Sequence, residues 1–94
     1  MLDIRMGDGD TIFLSGRFDA SQVETAREAF RPLEHSVVLD LSDLEYISSA
    51  GIGFLLATFK RLHDAGKTLT LTNVSPRILN IFRLAGLDRV LVIE

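Results

Sequence analysis

The chain has no cysteine, so its 94 residues can form neither disulfide bonds nor thiolate metal sites. A cysteine-free chain fits a reducing compartment, and the first residues lack the basic segment and apolar core of a signal peptide. We therefore expect a cytoplasmic protein. A chain of this length should form one domain, residues 1–94, and bury about 65% of its unfolded surface, enough for a core without covalent cross-links.

Long apolar runs and clusters of positive charge are also missing. Runs such as residues 54–57 are far shorter than the ~20 apolar residues that a membrane span requires. The 10 Lys and Arg residues are spread along a chain of net charge −3, whereas nucleic-acid binding needs a clustered basic surface. We therefore expect neither insertion into a membrane nor binding to nucleic acid, and we favour another protein as the partner.

The residues of the common catalytic sites are not in the right places. A serine nucleophile needs a base within hydrogen-bonding reach, and the only histidines are His35 and His63. His63 lies about four helical turns from Ser49, roughly 20 Å at 1.5 Å per residue. Residues 51–53 read Gly-Ile-Gly and lack the third glycine of a dinucleotide fingerprint and the lysine of a P-loop. We predict no catalytic residue and no cofactor.

The segment 37–63 organises the rest of the chain. Residues 37–41 form an apolar run that only Asp40 interrupts, typical of a strand that is buried on both faces. Polar and turn-prone residues follow, namely Ser42, Asp43 and Glu45. A helical pattern then begins at residue 51, so the sequence predicts a strand, a turn and a helix in succession.

The predicted helix 51–63 buries one face. Apolar residues recur at the i, i+3, i+4 spacing of that face: Ile52, Leu55, Leu56, Phe59 and Leu62. The opposite side then carries Phe54, Thr58 and Arg61. A large aromatic residue on a polar side is either an isolated exposed residue or an anchor for a partner, and we favour the anchor for Phe54.

Ser48 and Ser49 precede this helix. The first backbone N–H groups of a helix have no internal partner and carry partial positive charge, so a serine there can cap the helix and a phosphate there is stabilised. We assign the cap position to Ser49. Chemistry alone leaves two interpretations open, an ordinary cap and a phosphate acceptor.

The N-terminal residues predict an antiparallel edge hairpin. Residues 2–6 alternate apolar and polar side chains, and residues 11–15 form the return strand. Asp8 and Asp10 between them lack the third carboxylate and the distal glutamate of a calcium loop. We therefore predict a turn here and no metal site.

The first helix is predicted to begin at a capping box. Ser21 and Glu24 have the required spacing, and the helix buries Val23, Ala26 and Phe30. Asp19 lies just before it. Because neighbouring parallel strands end side by side, Asp19 is either a functional carboxylate near the two serines or a turn-forming residue.

The C-terminal part of the chain completes an α/β pattern. A strand is predicted at 68–72, a helix begins at Ser75 and Pro76 and ends at Gly86, and a strand follows at 90–93. The order β-β-α-β-α-β-α-β implies parallel crossovers after the hairpin. We predict a mixed, mostly parallel sheet of about five strands, with an antiparallel N-terminal edge hairpin and three or four packed helices.

Three segments resemble one known family. Residues 39–56 are similar to the signature of the STAS domain family, which includes anti-sigma factor antagonists and parts of sulphate transporters. Residues 14–19 are similar to the family's second strand and its exit turn. The motifs at 74–76, 81–82 and 85–87 are similar to its closing strand, helix and terminal turn.

The resemblance implies a partner-switching mechanism. In phosphorylated antagonists of this family, a partner kinase modifies the serine just before a small residue and glycine, which here is Ser49 before Ala50 and Gly51. The unmodified form binds an anti-sigma factor that is often the same serine kinase, and a PP2C-type phosphatase resets the switch. The family commonly has Asp before this serine, where this chain has Ser48, so Ser48 is the alternative acceptor. The expected partner-binding residues surround this point: Asp19, Ser48, Ala50, Gly51, Ile52, Gly53 and Phe54.

Two other roles remain open within this resemblance. One is a constitutive STAS subunit of a lipid-transport ABC complex, and the other is a scaffold component of a stress-signalling assembly. The sequence leaves the oligomeric state undetermined.

Overall fold

A computed structural model describes all 94 residues and shows one five-stranded sheet with three α-helices. The elements in chain order are β1 (Leu2–Met6), β2 (Thr11–Phe18), α1 (Val23–Phe30), β3 (Val37–Ile47), α2 (Ser49–Asp64), β4 (Leu69–Thr72), α3 (Pro76–Leu84) and β5 (Val92–Ile93). The strands lie in the sheet in this same order. β1 and β2 are antiparallel and the other neighbours are parallel, so the predicted mixed α/β sheet is confirmed.

The core lies where the central strands meet the helices. Ile12, Leu39 and Leu71 are neighbours in the register of β2, β3 and β4, and each is at most 2% exposed. The helices add fully buried side chains to this row: Ala26, Leu55, Leu62, Ile78 and Phe82 among them. None of the three α-helices has the length and hydrophobicity needed to cross a bilayer.

β3 is longer than the sequence pattern predicts. The turn expected at Ser42, Asp43 and Glu45 is wrong, because the strand continues to Ile47. The pairing of β2 with β3 shifts by one residue twice, between the partners of Phe13 and Ser15 and again between those of Gly16 and Arg17. Each shift inserts an extra residue into β3, as a β-bulge does. Ser42, Asp43 and Glu45 are therefore exposed residues of a bulged strand and do not form a turn.

The helix starts agree with the sequence in one case and correct it in another. Ser75 caps α3 by accepting a hydrogen bond from the Ile78 N–H at 3.3 Å, and Pro76 is the first helical residue, as predicted. The capping box at Ser21 is wrong. Residues Ala20–Gln22 form a 3₁₀ turn whose cap is Asp19, and α1 begins only at Val23.

β5 is shorter than predicted and contains only Val92 and Ile93. The N–H groups of Val90 and Leu91 donate to the Leu87 carbonyl, at 3.1 and 2.9 Å. Because these donors are used in a turn, the ladder with β4 starts two residues later than the apolar pattern indicates.

Candidate functional site

The first turn of α2 lies against the end of β2. Phe18 and Ile47 are partners in the parallel register, and the Ser48 N–H donates to the Phe18 carbonyl at 2.9 Å. Asp19 and Ser48 are the next residues of the two strand exits. The two strand exits therefore lie side by side, as expected for neighbouring parallel strands.

The two serines have different structural roles. Ser48 is the N-cap of α2, with extended backbone angles (φ −85°, ψ 171°), and its Oγ accepts a hydrogen bond from the Gly51 N–H at 3.2 Å. Ser49 is the first residue of the helix, and its side chain is exposed, whereas Ser48 is half-buried. The assignment of the cap to Ser49 is therefore wrong, since Ser48 supplies it.

The N-terminus of α2 presents the positive end of the helix dipole. Its first turn contains no acidic residue. The first N–H groups of a helix lack intrahelical partners, and the helix dipole places partial positive charge there. Because the Ser48 hydroxyl holds only one of these donors, a phosphate on Ser49 would meet the positive end of the helix.

Gly51 sets how closely α2 approaches the sheet. A Cβ at this position would lie 2.9 Å from Ile47 Cγ1 and 3.0 Å from the Phe18 carbonyl oxygen. A Cβ at Gly53, two residues later, would have no heavy atom within 4 Å. Gly51 is therefore needed for the contact between α2 and β2, while Gly53 leaves open space on the helix surface.

Asp19 forms the turn that leads into α1. Its Oδ1 accepts hydrogen bonds from the backbone N–H of Ser21, at 3.0 Å, and from the Ser21 hydroxyl. These bonds lower the pKa of Asp19, outweighing the partial burial that raises it, and the positive charges of the N-terminus and Arg17 lower it further. Asp19 is thus a turn-forming residue that also places a stable negative charge near Ser48.

The side of α2 that carries Phe54, Thr58 and Arg61 is not a free polar side. The Phe54 ring lies 5.8 Å from the Phe18 ring and 5.3 Å from the Phe30 ring, measured between centroids. Thr58 is only 4% exposed, and its hydroxyl donates to the Phe54 carbonyl at 2.9 Å. The predicted placement is wrong because α2 packs against α1 as well as the sheet, so it buries more than one stripe.

Arg61 ties α2 to the end of α1. Its two terminal nitrogens donate to the carbonyls of Phe30 and Leu33, each at 2.9 Å. The Phe30 carbonyl also accepts a hydrogen bond from the Leu33 N–H at 3.1 Å, so the guanidinium adds a second donor at the end of α1 and holds the Leu33 carbonyl in the loop that follows. It therefore fixes the spacing between the two helices.

A groove of about 490 Å³ lies between α1 and α2. Phe30 and Phe54 are among its apolar lining residues, and its charged lining residues are Arg27, Arg31 and Arg61. Sequence reasoning missed this groove. The signal was visible in part, since Arg27 and Arg31 are four residues apart and therefore share one face of a helix.

Neither histidine lies at the Ser49 turn. His35 Nε2 is 3.2 Å from Asp10 Oδ1, beside the turn that follows β1, and the His63 ring stacks on Phe59 near the other end of α2. No imidazole is thus placed to remove a proton from the Ser49 hydroxyl.

Comparison with known proteins gives consistent matches over nearly the whole chain. The model of the family described as "Mlab, STAS domain" matches residues 4–93. The anti-sigma-B factor antagonist of Bacillus subtilis is 28% identical over 97 residues, which cover 99% of this chain and 89% of that protein. The anti-sigma-B factor antagonist of Listeria monocytogenes is 30% identical over 99 residues, covering 99% of this chain and 87% of that protein.

Solved structures show the same fold. The anti-sigma factor antagonist SpoIIAA in its unphosphorylated form is similar with a TM-score of 0.76 at 21% identity, covering 100% of this chain and 88% of that chain. The phosphorylated form of SpoIIAA, a Bacillus cell fate determinant, is similar with a TM-score of 0.70 at 21% identity, covering 100% of this chain and 91% of that chain.

Proposed function

Because this chain belongs to the STAS domain family, we propose that it is an anti-sigma factor antagonist switched by phosphorylation of Ser49. The unmodified protein binds a cytoplasmic anti-sigma factor that is also a serine kinase. Phosphorylation of Ser49 releases that partner, and a PP2C-type phosphatase restores binding. The observation that carries the proposal is the exposed Ser49 on the first turn of α2, next to a separate residue that caps the helix.

The proposed interface surrounds this serine. Ala50 and Gly53 are exposed and Ile52 is half-buried, so all three can contact a partner. Gly51 is buried and acts by positioning the turn. The remaining members of the surface are Asp19, Ser48 and Phe54, of which Phe54 lines the neighbouring groove.

Phosphorylation can break such an interface without unfolding the domain. The phosphate adds about −1.5 to −2 charges, and the N-terminus of α2 stabilises that charge locally. At a desolvated interface the same charge would cost several kcal/mol if the partner does not compensate it. Each 1.4 kcal/mol is a factor of ten in affinity, so partner binding is lost while the fold is kept.

The test measures partner affinity by calorimetry with three variants of Ser49. Ser49→Asp adds a negative charge, and Ser49→Asn has nearly the same shape as the Asp variant but no charge. Ser49→Ala removes the hydroxyl. We expect Asn and Ala to bind the anti-sigma kinase like the wild type and Asp to bind at least about tenfold more weakly. If all three variants bind like the wild type, the constitutive STAS subunit becomes the better assignment.

The acceptor is identified by mass spectrometry after incubation with the kinase and ATP. We expect phosphate on Ser49 and not on Ser48, because the Ser48 hydroxyl is half-buried and bonded to the Gly51 N–H. Modification of Ser48 alone, or no modification by a kinase that is active on another substrate, contradicts the proposal.

A further inference from the structure

We propose that the groove between α1 and α2 receives an acidic segment of the anti-sigma partner, with an apolar side chain between α1 and α2 and carboxylates on the arginines. This proposal rests on the function proposed above and adds a second contact to the Ser49 surface. It assigns a role to the one large cavity of the domain.

The floor of the groove suits an apolar side chain. Phe30 and Phe54 meet there edge to face, with 5.3 Å between centroids and an interplanar angle of 79°. Val23, Ala50 and Ala57 complete the apolar lining. A volume of about 490 Å³ lies within the ~300–1,000 Å³ of typical ligand clefts, so the groove has room for parts of a peptide segment.

The charge of the groove selects an acidic partner. Arg27, Arg31 and Arg61 line it and no carboxylate does, although the chain as a whole carries a net charge of −3. A local positive surface on an acidic protein is complementary to an acidic segment, and such complementarity chooses partners and raises association rates.

Two of these arginines can change partners. Arg27 pairs with Glu24, and Arg31 pairs with Glu28 at 3.0 Å, with half or more of each arginine side chain exposed. Exposed ion pairs of this spacing contribute little to stability, so a carboxylate of the partner can displace them. Arg61, in contrast, is held by the backbone carbonyls of Phe30 and Leu33.

The groove is continuous with the proposed switch. Ala50 and Gly53 line it, and Ser49 and Gly53 are four residues apart on one face of α2. An acidic segment in the groove would therefore end near Ser49. A phosphate there would repel it, which gives phosphorylation a direct electrostatic means of releasing the partner.

The experiment reverses the charge of the groove. The double variant Arg27→Glu and Arg31→Glu is compared with Arg83→Glu and Arg89→Glu, which makes the same change in net charge on exposed residues outside the groove lining. Binding of the anti-sigma kinase is measured by calorimetry at two salt concentrations. We expect the groove variant to bind at least about tenfold more weakly and with less salt dependence, and the control to bind within about threefold of the wild type.

The outcomes separate this proposal from the one on which it rests. If wild type binds and Ser49→Asp does not, but the groove variant binds like wild type, the groove proposal alone is wrong. An equal loss in both double variants also overturns it, because net charge then explains the effect. If wild type does not bind an active anti-sigma kinase, the proposed function fails and this inference fails with it. Thermal melting checks folding, and Arg27→Gln with Arg31→Gln replaces the reversal if that variant unfolds.

Discussion

Gly51 and Gly53 offer a test of how closely α2 packs against the sheet. An added methyl group would meet close neighbours at Gly51 and open space at Gly53. In Gly51→Ala the new Cβ would lie 2.9 Å from Ile47 Cγ1, whereas carbon atoms pack best at about 3.5–4.0 Å. It would also lie 3.0 Å from the Phe18 carbonyl oxygen, which already accepts the Ser48 N–H. The first turn of α2 must therefore move away from β2.

The magnitude follows from two opposing terms. Placing extra methyl groups in a packed core costs about 1–3 kcal/mol. Replacing glycine by alanine within a helix stabilises it by up to about 1 kcal/mol. Both variants gain the second term and only Gly51→Ala bears the first, so their free energies of unfolding should differ by about 1–3 kcal/mol.

Urea unfolding and thermal melting measure this difference. For a domain of this size 1 kcal/mol corresponds to about 4–8 °C, so Gly53→Ala should melt above the wild type and Gly51→Ala at least about 4 °C below Gly53→Ala. Amide hydrogen exchange should also show a less protected Ser48 N–H in Gly51→Ala. Equal stability of the two variants would refute the seating of α2 described above.

The remaining predictions concern the two serines, Phe54 and the acid side of the pH range. In urea titrations, Ser48→Ala should lower the free energy of unfolding by about 1 kcal/mol because it removes the helix cap, whereas Ser48→Asp should keep it near the wild-type value. Ser49→Ala should change it by less than about 0.5 kcal/mol. Phe54→Ala should cost about 2 kcal/mol, less than a fully buried phenylalanine, because it removes ring contacts with Phe18 and Phe30; a cost near zero would place Phe54 outside the packing. Burial raises the pKa of Asp40, but hydrogen bonds from Ser42 and Asn73 outweigh this effect, so the pKa is lowered. The ionised carboxylate therefore stabilises the fold above its unfolded pKa near 4, and this stabilisation is lost as the pH falls. Asp40→Asn should therefore flatten the loss of stability as the pH falls below about 4, as followed by urea midpoints.

Much of the fold could be predicted because the local patterns agree with the tertiary structure. The hairpin, the cap at Ser75 and the order of strands and helices all follow from turn residues and apolar periodicity. The proximity of Asp19 to Ser48 also followed, since parallel strands that are neighbours in the sheet must end together. These features depend on contacts within a short stretch or on a general rule of topology.

The missed features depend on neighbours that are distant in sequence. In β3 the buried residues Leu41, Leu44 and Ile47 are three apart, a spacing that fits neither a regular strand nor one helix face. The two bulges that produce it are defined only by pairing with β2. The groove-lining face of α2 likewise could not be identified until the position of α1 was known.

In the proposed switch, the separation of the cap from the exposed serine would allow modification of the site without loss of the helix cap. A capping serine must point its hydroxyl at a backbone N–H, as Ser48 does at 3.2 Å from Gly51, and that hydroxyl is then occupied. A residue at the first helical position has no such obligation, so Ser49 can be modified without removing the cap. Asp, the usual family residue before the serine, ranks with Ser among the best N-caps, and its charge also favours a helix N-terminus. Ser48 therefore keeps the capping role of that position without the negative charge that an Asp would have. A phosphate on Ser49 would then change the local charge by a larger fraction than it would beside an Asp.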